Sequence, residues 1–228
     1  MTFRRNGLNA LSLSLLAIAS LMAFAAANAE ANWLVNGVAL TTDEAVSFSP
    51  HTTIKLAVPA KNIEFRCNAV ASEGMKLLAS SAKAEGKVKF SGCSAFQIST
   101  GTEQKNCKPK EPIVAGGSLS IILHNSQNYI LLSAFFGKPL ATIEVSELCA
   151  LTETAEVRGS TVLECLTPAL AHEDCNTSEV IHLLKAAPAE LFFMTDQISF
   201  GISPATFSGI QAARLSGAHT GDPWAGHV

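Results

Sequence analysis

The chain has 228 residues, is 48% hydrophobic and 15% charged, and carries 16 Lys and Arg against 19 Asp and Glu. A formal charge of −3 excludes the basic surface that phosphate-backbone binding needs, and it argues against anchoring to anionic lipid. No segment after the N-terminal run approaches the ~20 unbroken apolar residues of a membrane helix.

The first residues, Met1-Thr2-Phe3-Arg4-Arg5, are short and basic. An apolar run from Leu8 to Ala27 follows and ends in Ala27-Asn28-Ala29, a small-x-small pattern. This order reads as a secretory signal peptide over residues 1–29. No cysteine stands at the junction, so a lipoprotein anchor is not expected. The product from Glu30 to Val228 is expected to be exported and without a membrane span. It keeps 14 of the 16 bases and all 19 acids, a formal charge of −5.

The first strand signal in the exported part is Trp33-Leu34-Val35, then Asn36-Gly37, then Val38-Ala39-Leu40. Asn-Gly between apolar triplets predicts a hairpin, because both central residues take positive φ. Ala45–Phe48 and Thr53–Val58 are the next expected strands, punctuated by Pro50 and Pro59. In Ile63-Glu64-Phe65-Arg66-Cys67 and in Lys87-Val88-Lys89-Phe90-Ser91 every second residue is apolar, the period of a strand with one buried face. Cys67 is in phase with Ile63 and Phe65. Cys93 follows Gly92, which breaks the phase. Met75–Leu78 predicts one more strand.

Asn106–Gly117, with two lysines, two prolines and Gly116-Gly117, reads as loop. Ser118–Leu123 and Tyr129–Phe136 flank His124–Asn128 as a second hairpin. Ala141–Val145 and Val157–Cys165 are strands, and Leu166–Thr177 a polar loop. Val180–Lys185 reads either as a short capped helix stopped by Pro188 or as a strand. Leu191–Met194, Ile198–Ile202 and Ala205–Leu215 are the last strands, before a turn-rich tail from Gly217 to Trp224. About a dozen short strands with hardly any helical period predict an all-β, disulfide-stapled sandwich or barrel-like fold. One domain is favoured over two smaller sandwiches.

Six cysteines follow the leader: Cys67, Cys93, Cys107, Cys149, Cys165 and Cys175. An even count in an exported chain predicts disulfides. Short polar loops favour Cys93–Cys107 and Cys165–Cys175, which leaves Cys67–Cys149. No C-x₂-C pair exists, so a thiolate zinc site is not expected.

Catalytic patterns are weak. Gly201-Ile202-Ser203-Pro204 departs from the G-x-S-x-G elbow at its last two positions. Ser80-x-x-Lys83 has the serine–lysine spacing of penicillin-recognising enzymes, without Ser-Asp-Asn or Lys-Thr-Gly. His172-Glu173-Asp174-Cys175 reads as a loop tip beside a disulfide rather than a metal site. His219 and Asp222 lie close together with no nucleophile in view. Trp33, Trp224 and Tyr129 form no evident sugar platform, and the 12 phenylalanines are assigned to the core. Asn176-Thr177-Ser178 matches a glycosylation acceptor.

Glu30-Ala31-Asn32-Trp33-Leu34-Val35-Asn36-Gly37, Phe90-Ser91-Gly92-Cys93 with the later Cys107, and Leu215-Ser216-Gly217-Ala218-His219 resemble a group of exported actinobacterial proteins of unknown function. The resemblance implies a β-rich body and paired cysteines, and it carries no catalytic residues. The expected function is a non-enzymatic structural or binding protein of the envelope or extracellular space, with an unknown ligand there, no nucleic acid and no cofactor. The alternative is a secreted hydrolase with an unrecognised site. A third reading, an inhibitor or toxin, needs a protruding braced loop at Cys93–Cys107.

Overall fold

Alternation of apolar and polar side chains runs through several strands of the computed structural model, which describes residues 31–149, 151, 154–188 and 197–228. The expected leader (1–29) and the strand expected at Leu191–Met194 lie outside the described residues.

Sixteen strands occur among the described residues. In chain order they are β1 (Asn32–Val35), β2 (Val38–Ala39), β3 (Glu44–Pro50), β4 (Ile54–Val58), β5 (Ile63–Leu77), β6 (Lys83–Gln97), β7 (Ile113–His124) and β8 (Gln127–Ala134). Then come β9 (Ala141–Glu144), β10 (Thr154–Leu166), β11 (His172–Glu173), β12 (His182–Ala186), β13 (Gln197–Phe200), β14 (Ser203–Ser208), β15 (Ile210–Leu215) and β16 (Trp224–His227).

Several of these strands are halves of one longer wall. β3 and β4 lie end to end along β5, pairing Glu44 with Leu77 and Val58 with Ile63. β8 and β9 lie end to end along β10, pairing Ile130 with Leu163 and Glu144 with Thr154. On the other side of β10, β12 pairs Leu183 with Leu166, and β13 pairs Phe200 with Val157. β15 and β14 run likewise along β3 and β4. The ladders therefore trace eight antiparallel walls, β3–β4, β5, β6, β7, β8–β9, β10, β12–β13 and β14–β15. Each stands beside its sequence neighbour, and the last stands beside the first. The result is an up-and-down barrel, and closure removes the open edges of a sheet. Eight strands give an interior just wide enough for side chains to fill it or for one small ligand.

The broken walls are bent where side chains would collide. Gly209, at φ +111, separates β14 from β15, and a Cβ there would lie 2.6 Å from the Thr53 carbonyl oxygen. Gly159, at φ +103 in β10, runs against the Gln197 carbonyl in the same way. Both close approaches need a residue with no side chain.

Two apolar clusters stack along the barrel. One gathers Phe48, Met75, Leu119, Leu163, Leu184 and Leu215. The other gathers Phe65, Ile113, Ile143, Val157, Ile198 and Phe200. A separate three-stranded sheet, β16–β1–β2, covers the end nearer the first cluster. There Trp33 meets Trp224 at 5.7 Å between ring centroids, and the Trp33 indole N–H donates to the Lys83 carbonyl at 2.7 Å. Asn36 and Gly37 make the predicted hairpin, at φ +52 and +75. Ala31–Val228 form one compact unit, with both clusters inside the same walls.

All six cysteines are bridged, but in a pattern different from the expected one. Cys165–Cys175 forms as expected, whereas the other bridges are Cys67–Cys93 and Cys107–Cys149. Cys93 and Cys107 are close in sequence, yet Cys93 lies directly across the ladder from Cys67. Gly92, at φ +62, resets the phase of β6, so the buried set changes from Ala84 to Cys93 and Ala95. Cys107 ends a 3-10 turn, Lys105–Cys107, and reaches Cys149 beyond β9. The braced Cys93–Cys107 loop that an inhibitor needs is therefore not formed.

Residues 182–186 are strand, one of the two readings left open for Val180–Lys185, because they extend the ladders of β10 and β15. Two element boundaries differ from expectation. Ile113–Gly117 is strand rather than loop, since Gly116 and Gly117 pair with Lys87 and Gly86. The strand expected over Ala205–Leu215 is divided at Gly209.

Candidate functional site

The inward residues of the walls leave a cavity of about 110 Å³ where the two clusters meet. Phe48, Met75 and Leu163 reach it from one cluster, and Phe65, Ile143 and Val157 from the other. The Cys67–Cys93 bridge borders it through Cys67. Close packing normally leaves few voids larger than a water molecule, and an apolar void of this size stays dry or takes an apolar guest.

Two polar side chains are among those lining it, Lys55 and Gln211. Lys55 stands on the outward phase of β4, between the inward Ile54 and Leu56. Gln211 is different. It shares its phase with Ala213 and Leu215, both in the first cluster, and it is 9% exposed. Its carboxamide atoms are not among the fully buried side-chain atoms that lack a hydrogen-bond partner.

One wall seam beside the cavity is incompletely laddered. β3 pairs with β5 only at Glu44–Leu77 and Ala45–Lys76, and β4 resumes at Ile54–Cys67. Between them the Phe48 N–H donates to Ser72 Oγ at 2.7 Å, and Thr53 Oγ1 donates to Asn68 Oδ1 at 3.5 Å. The break in the neighbouring wall is stitched more firmly. His51 and Thr52 N–H groups donate to the Ile210 carbonyl at 2.9 and 3.0 Å, and the Ile210 N–H donates to Thr52 Oγ1 at 2.8 Å.

The residues singled out in the sequence lie elsewhere. Asp174 Oδ1 accepts from Asn128 N, Asn128 Nδ2 and Asn176 N, each at 3.0 Å, so it organises its own loop. His172 contacts Glu164 Oε2 through Nδ1 at 3.3 Å and Gln127 Oε1 through Nε2 at 3.2 Å, and it stacks on Tyr129. Lys185 reaches the other Glu164 oxygen at 3.3 Å. His219 Nδ1 does meet Asp222 Oδ2 at 3.0 Å, inside a turn held by the buried Glu44, whose Oε1 accepts from the His219 N–H at 3.0 Å. The hydroxyl in that turn, Thr220, donates to the Gly217 carbonyl at 2.7 Å. Ser80 belongs to the β5–β6 turn, and Gly201 to the β13–β14 turn. Among the described residues no group of three His, Cys, Asp or Glu could hold a metal ion. No helix among them is long and apolar enough to cross a membrane.

Among the buried or pinned polar groups that sequence reasoning did not single out are Glu111, His182 and Gln211. Hydrogen bonds from Cys93 N–H at 2.8 Å and Gly92 N–H at 2.9 Å hold the Glu111 carboxyl below its usual range, and Lys108 adds to this. Burial holds the His182 imidazole below its ordinary value, against the opposing pull of the Trp224 carbonyl and Glu179. His182 Nε2 lies 2.7 Å from that carbonyl, which can only accept, so Nε2 carries the proton. Gln211 is the third, and the only one of them on the cavity. Comparison of the chain with protein-family models, with curated proteins and with solved structures finds no match.

Proposed function

We propose that the chain is an exported, non-enzymatic binding protein of the cell envelope or extracellular space, and that it holds an apolar ligand inside its barrel. The observation that carries this reading is the waist cavity, the apolar void inside the barrel where the two clusters meet. Ligand sites are concave, mostly apolar and supplied with a few polar groups, and this void has that character. Export is supported by the leader pattern at residues 1–29 and by the bridging of all six cysteines. The hydrolase alternative gains no support from the His219–Asp222 pair, since the hydroxyl in the same turn, Thr220, donates to the Gly217 carbonyl.

The test is native mass spectrometry of the protein recovered from the medium of an exporting culture. An N-terminus at Glu30, no alkylatable thiol and an extractable apolar adduct are the expected results. Intracellular retention, or turnover of a simple ester panel abolished by changing His219, would overturn the reading.

A further inference from the structure

We propose that an open groove on the outer face of β5 and β6 binds a neutral saccharide, with the apolar face of a sugar ring on Phe135 and its hydroxyls between the lysines and carboxylates of the two strands. The groove is separate from the waist cavity, so the two readings stand or fall independently.

The groove has a volume of about 560 Å³, inside the range of about 300–1,000 Å³ usual for small-molecule sites. A β-bulge shapes its floor. Glu73 pairs with Lys87 and Lys76 with Glu85, so Gly74 and Met75 together face Gly86. A bulge leaves its extra residue out of the ladder and bends the strand. Glycine keeps this floor bare. A Cβ at Gly86 would lie 2.5 Å from the Met75 Cα, and Gly74, at φ +63, has nothing within 4 Å of where its Cβ would stand. Two walls flank the floor. On one side the Ala79 N–H donates to Asp43 Oδ1 at 3.0 Å, which fixes the loop beside Leu78. On the other, Phe135 and Lys87 lie side by side over Gly116, with Phe135 Cε2 3.5 Å and Lys87 Cγ 3.6 Å from a Cβ placed there. The Lys138 N–H donates to the Phe135 carbonyl at 2.9 Å, and Phe136, in that same turn, is fully exposed.

The charges narrow the ligand class. Opposite charges directly across a ladder stabilise a sheet by pairing with each other. Here, among the described residues, neither Glu73–Lys87 nor Lys76–Glu85 closes to an ion pair, and Glu73 turns instead to Lys89 at 3.4 Å. Asp43 and Glu85 are then set against Lys76 and Lys87, two acids and two bases, so the groove has no net charge to draw an ion. It offers ammonium donors beside carboxylate acceptors. Adjacent hydroxyls on a sugar ring satisfy both at once, accepting from a lysine and donating to a carboxylate. The same ring has an apolar C–H face that matches Phe135. A hydrocarbon ligand would strip water from these four charged groups and replace none of its hydrogen bonds.

The experiment is NMR titration of the full-length oxidised protein with cellobiose, lactose and diacetylchitobiose, and with glycylglycine as a zwitterionic control. At least one disaccharide is expected to shift the Gly74 and Gly86 amide resonances saturably. Its affinity should be the same at low and high salt, because a neutral ligand feels no screening. Phe135→Ala and Glu85→Ala are each expected to weaken that binding about tenfold or more. Should Phe135→Ala not fold, Glu85→Ala, at an exposed strand position, decides. Glycylglycine binding more tightly than every disaccharide would overturn the assignment to a neutral saccharide. Resonances unmoved by all three disaccharides, or binding indifferent to Glu85→Ala, would overturn the site itself, and the waist-cavity reading would be untouched.

Discussion

Cys67 and Cys93 are direct cross-strand partners, with Cα atoms 4.0 Å apart on β5 and β6, and their bridge borders the waist cavity. The link ties together the two longest strands of the barrel. Non-reducing peptide mapping should therefore join the Cys67 and Cys93 peptides and leave Cys107 with Cys149. Replacing both Cys67 and Cys93 by Ala removes a bridge across a sequence separation of 26 residues. That should cost about 3 kcal/mol, read as a fall in denaturant midpoint. A peptide joining Cys93 to Cys107 would contradict this connectivity.

Gly159 and Gly101 separate close approach from turn geometry. Both have positive φ, but a Cβ at Gly159 meets the Gln197 carbonyl, whereas at Gly101 nothing lies within 4 Å. Gly101→Ala should cost about 1 kcal/mol, from backbone conformation alone. Gly159→Ala should cost about 3 kcal/mol or more, because β10 and β13 must part. Chemical denaturation of the two variants checks the contrast, and equal losses would count against it.

His182 makes stability sensitive to mild acid. The folded imidazole is held neutral by burial, while the unfolded one titrates normally, near pH 6.5. The folded state thus binds a proton less readily than the unfolded state. Its contribution is complete above about pH 6.5 and declines as pH falls from there toward the depressed folded value. Melting temperatures should drop as pH falls below about 6.5, and His182→Phe should flatten that slope. A slope unchanged by the substitution would reassign the effect to another group.

Glu111 acts in a lower window. Its carboxylate accepts from two backbone N–H groups beside the Cys67–Cys93 bridge. Its folded value is depressed, so its contribution is present above the ordinary carboxyl range and is lost as pH falls through the folded value. Glu111→Gln should reduce the acid dependence of unfolding below about pH 4.5 and leave the neutral-to-mildly-acidic slope intact. Unfolding curves on the native protein and the variant check this.

Much of the fold was legible because alternation and turn chemistry are local. Ile63, Phe65 and Cys67 announced a buried face, and Asn36-Gly37 announced its hairpin. The bridge at Cys93 was legible in principle too. The offset that pairs Ile63 with Gln97 also pairs Cys67 with Cys93, but seeing it required treating β5 and β6 as two arms of one hairpin. Loop length was a poorer guide, because a ladder sets distance more strictly than chain separation does. Gly116-Gly117 misled for a related reason. Glycine signals a turn, yet here it lets one wall approach another. Phase alone puts Gln211 with Phe207, Ala213 and Leu215. That Leu184 and Pro50 stand beside it on the flanking strands is something no local pattern reveals.

The central claim is that the barrel holds an apolar void able to take a guest, and xenon tests it most directly. Crystals of the oxidised protein pressurised with xenon should show one internal site, bordered by Phe65, Leu132 and Val157. Ala115→Leu adds three carbons to the lining and should remove that site without unfolding the protein. Xenon confined to the surface, or an internal site indifferent to Ala115→Leu, would contradict the account.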